Sequence, residues 1–443
     1  MLASGTIGVR ARRGRVAALR YFLAIVLLFG AASRAYALDC GAPAPAIIDG
    51  FVDPNPPSQI NIQGNCTIRN FAASNPLTSN ISFFGQGTDP YLVVFDNVVH
   101  TGNMACDIVQ GNKIWFTNSS STTVQTKCQN LLIPVEKIAK QNPPGAPFVT
   151  IGVPFTYKLV IPVLFDPATG TVVDFAGSPN DLHDITVWDD LNATGVDLTL
   201  VSERAYWQAS GAPVPHTFSN VGGALTFSNI PIVPKETQFV IEITAVLQDT
   251  PTNAPGKQFV NTAKWEFGRL IDGIFYEPLP GEWGISPPLT IAAPQLIVTK
   301  TGPATLGKTL NLGQWGQYSV DVRNAGLTPA WDVTLRDHLP DGPTGGMCDT
   351  TPEVQSARVF ASDGVTPVPG KGPLVPGVDF TVTYTGAPTC ELKLTMMTAA
   401  ASIGPGERLI VNYRTRLDSD SQNGITLTNV VGATEWFNDD DTN

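Results

Sequence analysis

The sequence predicts an all-β protein: a small N-terminal disulfide-bearing β domain followed by two immunoglobulin-like β-sandwiches. Apolar and polar residues alternate through short runs such as Tyr318-Ser-Val-Asp-Val322, so successive side chains face opposite sides of a sheet. The 443-residue chain has 41 glycines and 37 prolines, which cluster between these runs as turn residues do in antiparallel sandwiches. No amphipathic stretch is long enough for helices between parallel strands, which argues against an α/β fold.

The first 37 residues have the three-part layout of a secretory signal peptide. Five arginines precede the apolar run 21–32, and the small-residue cleavage site Ala35-Tyr36-Ala37 follows it. The run is shorter than the roughly 20 residues that cross a membrane, and no other long apolar run follows. We therefore expect a mature chain that begins at Leu38, is secreted or displayed at the cell surface, and has no membrane span.

Charge and histidine content narrow the possible partners. The leader carries six arginines and no acid, so its removal takes the formal charge from −11 to −11 − 6 = −17, which repels nucleic acid. We expect no metal or other cofactor, because none of the four histidines stand at metal-ligand spacing. Hydrolase elbows, phosphate loops and His-Glu-x-x-His helices are missing too, which predicts no catalytic residues and no enzyme. The histidines are His100, His183, His216 and His338.

Six cysteines, with no Cys-x-x-Cys pair among them, indicate disulfide bonds formed in an oxidising compartment. Cys348 and Cys390 stand apart in the C-terminal part of the chain, so they have one internal pairing. The other four allow three pairings, of which we favour the pairing of sequence neighbours. These pairs are Cys40 with Cys66 and Cys106 with Cys128.

Residues 38–133 are predicted to form a separate small β domain. Its strand-like runs, such as Tyr91-Leu-Val-Val-Phe95 and Lys113-Ile-Trp-Phe116, are short, and it has its own four cysteines. We recognise no family motif in it. Because an outermost domain meets the environment first, this domain is the candidate carrier of binding specificity.

A fixed order of residues occurs twice in the rest of the chain, which predicts two copies of one domain: repeat 1 (134–293) and repeat 2 (294–443). Each copy has a lysine in its first strand, then a tyrosine, an aspartate and, near its end, an asparagine. These are Lys140, Tyr157, Asp189 and Asn261 in repeat 1, and Lys300, Tyr318, Asp337 and Asn429 in repeat 2. We expect the copies to superimpose at these residues, with Trp265 and Trp436 closing the pattern in the two cores.

Both copies resemble a bacterial surface-protein repeat called domain of unknown function eleven. In repeat 2 the resemblance lies in the lysine strand, the turn Asn324-Ala325-Gly326, the sequence Leu339-Pro340 and the motif 404–407. Repeat 1 departs from the pattern, because the insertion 166–182 replaces the turn and no proline follows Leu191. The resemblance covers about two-thirds of the chain and implies immunoglobulin-like modules of a cell-surface protein.

Families of this kind include fimbrial modules that form a Lys–Asn isopeptide bond between the first and last strands. The resemblance implies two candidate bonds, each with an aspartate that would polarise the carboxamide and carry protons. Burial would supply the neutral lysine amine that the attack requires. The alternative is a solvated lysine, an aspartate that stabilises a turn and an asparagine that caps a strand edge. The candidates are Lys140, Asn261 and Asp189 in repeat 1, and Lys300, Asn429 and Asp337 in repeat 2.

The sequence therefore predicts a non-catalytic extracellular or cell-surface structural or adhesive protein with tandem immunoglobulin-like modules. Its expected partners are surface or matrix components. The alternative is a secreted carbohydrate- or matrix-binding protein in which the N-terminal domain holds the ligand.

Overall fold

The structure is a computed structural model that describes residues 37–41, 46–83, 91–106, 112–305 and 308–438. Apart from Ala37, the predicted signal peptide lies outside these residues. The described chain consists almost entirely of β-strands and turns, which confirms the predicted all-β fold. None of the helices in this part of the chain has the length and apolar character needed to cross a bilayer.

The N-terminal segment is a coil of parallel strands, which we call the N-terminal solenoid. Its described strands form two sheets, ordered β1-β3-β5-β7 and β2-β4-β6-β8, and every pairing in them is parallel. Each turn of the chain therefore adds one strand to each sheet. The strands are β1 (Leu38–Cys40), β2 (Ile47–Asp49), β3 (Gln59–Ile62), β4 (Cys66–Phe71), β5 (Asn80–Phe83), β6 (Leu92–Val98), β7 (Met104–Ala105) and β8 (Lys113–Thr117).

Aliphatic side chains stack on one another inside the solenoid. Ile60 pairs with Leu38 on one side and with Ile81 on the other, and both isoleucines are fully or almost fully buried. Such stacking buries an apolar column that no single turn of the coil could cover alone. Helix α1 (Thr122–Lys127) follows β8, and the Ser121 hydroxyl caps it by accepting from the Val124 N–H at 3.2 Å.

A column of asparagines, the asparagine ladder, marks one corner of the solenoid. Asn70, Asn97 and Asn118 each adopt a left-handed backbone, with φ of 62°, 57° and 53°. Asn70 Nδ2 donates to Asp49 Oδ1 at 3.0 Å, and Asn97 Nδ2 donates to Asn70 Oδ1 at 3.4 Å. Asparagine tolerates this conformation better than most residues, and its amide can bond to the neighbouring coil.

Both repeats contain a sandwich of two sheets, as predicted, whose described strands occur in the same order, and repeat 1 has in addition the three-stranded sheet β10-β22-β18. In repeat 1 the sheets contain β9-β11-β17-β14 and β15-β16-β13-β19, and in repeat 2 β23-β24-β29-β26 and β27-β28-β25-β30. Repeat 1 contains β9 (Val135–Gln141), β10 (Phe148–Thr150), β11 (Phe155–Asp166), β12 (Thr171–Asp174), β13 (His183–Asp190), β14 (Leu198–Trp207), β15 (Thr217–Val221), β16 (Ala224–Ile230), β17 (Phe239–Leu247), β18 (Gln258–Phe259), β19 (Thr262–Ile271), β20 (Ile274–Pro280), β21 (Gly284–Ile285) and β22 (Leu289–Ala292). Repeat 2 contains β23 (Leu296–Thr301), β24 (Trp315–Asn324), β25 (Trp331–His338), β26 (Glu353–Phe360), β27 (Phe380–Thr385), β28 (Glu391–Met396), β29 (Arg408–Arg416) and β30 (Val430–Phe437).

The strand register also matches between the copies. Asp189 pairs with Ala263, two residues after Asn261, and Asp337 pairs with Val431, two residues after Asn429. The same register places Ala433 at the position of Trp265, because these residues pair with Leu335 and Val187, two positions before the aspartates. Trp265 is buried as expected, but the expectation for Trp436 is wrong, since that side chain is 40% exposed.

Repeat 1 packs directly against the N-terminal solenoid. The solenoid residue Trp115 is fully buried, donates from Nε1 to Pro280 O at 2.7 Å and lies edge-on to Phe267, with ring centres 6.0 Å apart. Leu92 and Val94 of the solenoid belong to the same apolar cluster as the core of repeat 1, whereas repeat 2 has a core cluster of its own. The boundaries at 133/134 and 293/294 remain proposals.

Disulfide bonds join Cys40 to Cys66, Cys106 to Cys128 and Cys348 to Cys390, which is the pairing preferred from the sequence. Two bonds lie in the N-terminal solenoid and one in repeat 2. The described residues include no free cysteine.

Candidate functional site

The first lysine site lies between the two sheets of repeat 1. Lys140 is near the end of β9, Asp189 is near the end of β13, and Asn261 directly precedes β19. Lys140 and Ile138 are both buried, because alternate residues of a strand share a face and this face of β9 points into the sandwich. The fold thus carries one residue from each of three separate strand regions into the same apolar interior.

A single carboxylate connects the other two groups. Asp189 Oδ2 accepts from Lys140 Nζ, and Asp189 Oδ1 accepts from Asn261 Nδ2 at 2.9 Å. The side chains of Lys140 and Asp189 are completely buried. Among the described residues nothing bonds to Asn261 Oδ1, although this atom is buried as well. The three predicted residues of repeat 1 are therefore in contact, which excludes the solvated-lysine alternative for Lys140.

The surroundings favour an uncharged amine. Burial lowers the pKa of Lys140, and the Asp189 carboxylate opposes that shift by stabilising the ammonium. Lys140 Nζ lies 4.8 Å from the ring centre of Tyr157, whose pKa is raised by burial and by the charge of Asp189. A proton transfer from Lys140 to Asp189 would remove both charges from this apolar interior.

The chain that follows β19 seals the site. Ser286 and Asn261 hold each other through Asn261 N–H to Ser286 Oγ at 3.0 Å and Ser286 N–H to Asn261 O at 2.9 Å. Gly284 of β21 lies against Ile138, since a Cβ at this glycine would meet the isoleucine side chain at 2.5 Å. Only glycine permits this close approach.

The second lysine site has the same strands but different contacts. Lys300 Nζ donates to Asp337 Oδ1 at 2.6 Å and to Oδ2 at 2.5 Å. Asn429 Nδ2 instead donates to the Tyr413 hydroxyl at 2.9 Å, and Asn429 Oδ1 is buried without a bond to any described residue. The lysine and aspartate are thus together as predicted, but the asparagine is not bonded to the aspartate.

Tyr413 accounts for this difference. It pairs with Tyr318 across β24 and β29, and at the equivalent position of repeat 1 Ile243 pairs with Tyr157. The Tyr413 hydroxyl interacts with Asp337 and Asn429, while an isoleucine leaves the aspartate and asparagine in direct contact. Sequence reasoning missed Tyr413, although the alignment of the two copies could have shown a polar aromatic residue opposite an aliphatic one.

The second site also opens to a cleft of about 800 Å³, which we call the repeat-2 cleft. Residues 302–303, 308–312 and 421–427 line it, together with Lys300 and Asn429. The side chain of Lys300 is 12% exposed, and burial lowers its pKa to about 8 despite the opposing charge of Asp337. Burial in turn raises the pKa of Asp337.

Two further groups of side chains have the spacing of metal ligands. The cysteines of the first group, Cys348 and Cys390, are joined in a disulfide and are not available as thiolates. The second group centres on Asp418, whose carboxylate accepts from the N–H groups of Cys348 at 2.9 Å and Asp349 at 2.8 Å. These bonds give Asp418 a structural role, and we assign no metal to either group.

Comparison with known proteins adds little to this geometry. No family model and no curated protein matches the chain. The resemblance to the surface-protein repeat therefore stays a prediction from its motifs.

Solved structures match the fold only loosely. The C-terminal domain of the Streptococcus agalactiae AgI/II polypeptide BspA is 13% identical, with a TM-score of 0.33, over 63% of this chain and 90% of that domain. The C-terminal domain of the Streptococcus pyogenes antigen I/II-family protein AspA is 13% identical, with a TM-score of 0.31, over 68% of this chain and 100% of that domain. BcpA, the major pilin subunit of Bacillus cereus, is 11% identical, with a TM-score of 0.25, over 51% of each chain. At these values the likenesses carry no argument about function.

Proposed function

We propose that this chain is a non-catalytic extracellular or cell-surface protein with a structural and adhesive role, whose repeat 1 closes itself through a bond between Lys140 and Asn261. The observation that carries the proposal is the Asp189 carboxylate, which binds both the Lys140 amine and the Asn261 carboxamide inside a sealed site. An arrangement of this kind holds an amine and an amide together away from water.

The reaction needs only these three side chains. Lys140 Nζ passes a proton to Asp189, attacks Cγ of Asn261 and forms a new C–N bond. The bond from Cγ to Nδ2 then breaks, and Nδ2 leaves as ammonia. Of the three protons on the lysine ammonium, one stays on the new amide, one stays on Asp189 and one leaves with the ammonia. A half-turn of the carboxamide would let protonated Asp189 donate to the buried Asn261 Oδ1, which otherwise has no partner among the described residues.

The product would be a mechanical tie. Lys140 lies on β9, which opens repeat 1, and Asn261 precedes β19, which pairs with β13 in the opposite sheet. A covalent bond between them joins the first strand of one sheet to the segment that leads into β19 of the other sheet. Pulling on the chain would then load a covalent bond instead of the hydrogen bonds of the sheets, which suits a protein that spans or presents at a surface.

Intact mass spectrometry after reduction of the disulfides tests the proposal. We expect the native protein to be about 17 Da lighter than its sequence, through the loss of one ammonia. Lys140→Ala should restore the full mass, and Asp189→Ala should do so while leaving the amine and the carboxamide in place. The matched control is Lys300→Ala, which should keep the loss because Tyr413 stands between Asp337 and Asn429.

Native protein with the full, unmodified mass would overturn the covalent part of the proposal. A loss of about 34 Da would instead show that both repeats react and that Tyr413 is no barrier. Peptide mapping of the cross-linked product should place the bond between the peptides containing Lys140 and Asn261.

The second candidate function is carbohydrate or matrix binding by the N-terminal domain. Phe51 and Val52, which follow β2, are 80% and 83% exposed, whereas Trp115 and Phe95 of the solenoid are buried. Exposed aromatic rings can stack on sugars. Glycan-array binding by the whole mature chain that is lost in Phe51→Ala would favour this function, and binding unchanged in that variant would exclude Phe51 as the contact. The whole chain is needed, because residues 38–133 alone would expose Trp115.

A further inference from the structure

Repeat 1 contains a strand that has no counterpart in the described part of repeat 2. Strand β22 lies between β10 and β18, parallel to the first and antiparallel to the second. Its side chains Leu289 and Ile291 are completely buried in the core of repeat 1. Its backbone is held from both sides, by Thr290 N–H to Pro147 O at 2.7 Å and Ile291 N–H to Lys257 O at 2.9 Å.

The repeat-2 cleft occupies the corresponding place. The connection from β23 to β24, described at residues 302–305 and 308–314, corresponds to the one that carries β10 between β9 and β11. Residues 426–427 stand two to three positions before Asn429, as β18 stands before Asn261. In repeat 1 strand β22 lies between these two segments, and in repeat 2 residues of both segments line the cleft.

The cleft has backbone groups and apolar side chains that could contact an added strand. Residues 425–428 form no backbone hydrogen bond with any described residue, although they run directly into β30. A backbone segment outside any sheet can pair with another strand through its N–H and C=O groups. Apolar side chains line the same space, including Leu310 and Leu427, which are half-buried against the core, and Leu312, which is 59% exposed.

We propose that the repeat-2 cleft binds an extended segment of another protein chain, which carries aliphatic side chains at alternate positions as Leu289 and Ile291 do in repeat 1. The segment would pair with residues 425–428 and place its two aliphatic side chains beside Leu310 and Leu427. This is an interaction surface in addition to the closure of repeat 1, and it does not depend on that reaction.

A peptide copied from repeat 1 is the natural probe. We would titrate a fluorescently labelled peptide with the sequence Ser286–Ala293 with the full mature protein and measure its fluorescence anisotropy. Repeat 1 should not bind the peptide, because its own β22 already lies between β10 and β18. Saturable binding with one site per chain is expected. The control is the same peptide with Leu289→Ser and Ile291→Ser, which keeps the backbone, adds no charge for Lys300 and Lys308 to attract, and removes the aliphatic contacts, so it should not bind.

An exposed leucine in the cleft and an exposed valine outside it provide a test variant and a matched control. Leu312→Asp, on the wall of the cleft, should weaken binding about tenfold or more, because it loses apolar contact and adds a charge. Val365→Asp, in a turn of the same sandwich and 76% exposed, should leave binding unchanged. Both sites are exposed, so neither change should disturb folding.

Lys300, which lines the cleft, supplies an independent readout in the unmodified protein. Bound peptide should slow acylation of the Lys300 amine, which lies in the cleft, and should not affect the exposed Lys235. Absence of saturable binding, equal binding of the two peptides, or binding without protection of Lys300 would each overturn the proposal.

Discussion

The two lysine sites show how one side chain changes the chemistry available to the same three neighbours. In repeat 1 Ile243 leaves Asp189 in direct contact with Asn261, and in repeat 2 Tyr413 places a hydroxyl between the aspartate and the asparagine. Removing one partner of a buried lysine–aspartate pair leaves the other charge uncompensated, which lowers the free energy of unfolding by about 3–5 kcal/mol. Closure in repeat 1 would remove that liability by turning the amine into an amide.

The pH dependence of Lys300 reactivity follows from its environment. With a pKa of about 8, roughly half of the Lys300 amine is neutral at pH 8, whereas a solvated lysine near 10.4 is almost fully protonated there. Acylation of Lys300 should therefore rise with pH to a midpoint near 8, as measured by peptide mapping after brief exposure to the reagent. In Asp337→Asn the midpoint should fall, because the carboxylate stabilises the ammonium. A midpoint near 10 in the native protein, or an upward shift in the variant, would contradict this prediction.

At the scale of elements, the asparagine ladder holds the corner of the N-terminal solenoid. Asn97 combines a left-handed backbone with a side-chain bond to the coil before it, and Asn118 extends the contact to repeat 1. Asn118 Nδ2 donates to Gly281 O at 3.1 Å, and its Oδ1 accepts from Trp283 N–H at 2.7 Å. The ladder thus fixes both the spacing of the coils and their attachment to the sandwich.

Substitutions at Asn97 separate the backbone contribution from that of the side-chain bond. Asn97→Ala should lower the free energy of unfolding by about 1–2 kcal/mol, because a Cβ without a compensating bond disfavours the left-handed backbone. Asn97→Gly should cost less, since glycine adopts a positive φ without strain. Urea denaturation of the two variants measures the difference. Equal decreases in the free energy of unfolding for the two variants would mean that the left-handed backbone of Asn97 does not contribute to the difference.

At the scale of the whole molecule, the N-terminal solenoid and repeat 1 share one apolar interior, and repeat 2 has another. Trp115 is the largest solenoid side chain in the shared interior, and the Arg269 guanidinium lies 5.0 Å from its ring centre. We therefore expect the solenoid and repeat 1 to unfold together and repeat 2 to unfold as a separate unit.

Scanning calorimetry can test this coupling. Trp115→Ala should destabilise the shared unit by about 3–5 kcal/mol through lost burial and a cavity, and should separate the solenoid transition from that of repeat 1. Trp436→Ala removes the same kind of side chain from an exposed position of repeat 2, so it should leave the shared transition in place. Independent transitions of the solenoid and repeat 1 in the native protein would contradict the prediction.

Local patterns in the sequence determined the strands and turns, the expectation of disulfide bonds formed in an oxidising compartment, and the repetition of the sandwich. Alternation of apolar and polar residues is a property of a few neighbouring positions, so it can be recognised without knowing what a strand pairs with. The order of Lys140, Asp189 and Asn261 was visible in the same way, because it recurs in the second copy.

Only the tertiary structure decided how those strands pair and what each site contains. The parallel coils of the solenoid depend on contacts between distant turns, and strands as short as β1 and β7 do not specify their neighbours. The different contacts of Asn261 and Asn429 depend on Ile243 and Tyr413, which lie on a strand of the opposite sheet. The misassignment of Trp436 has a different origin, because it stands seven residues after Asn429 whereas Trp265 stands four after Asn261, so Ala433 and not Trp436 takes the core position. Strand formation is a local property, whereas packing, register and enclosure depend on residues that only the folded chain brings together.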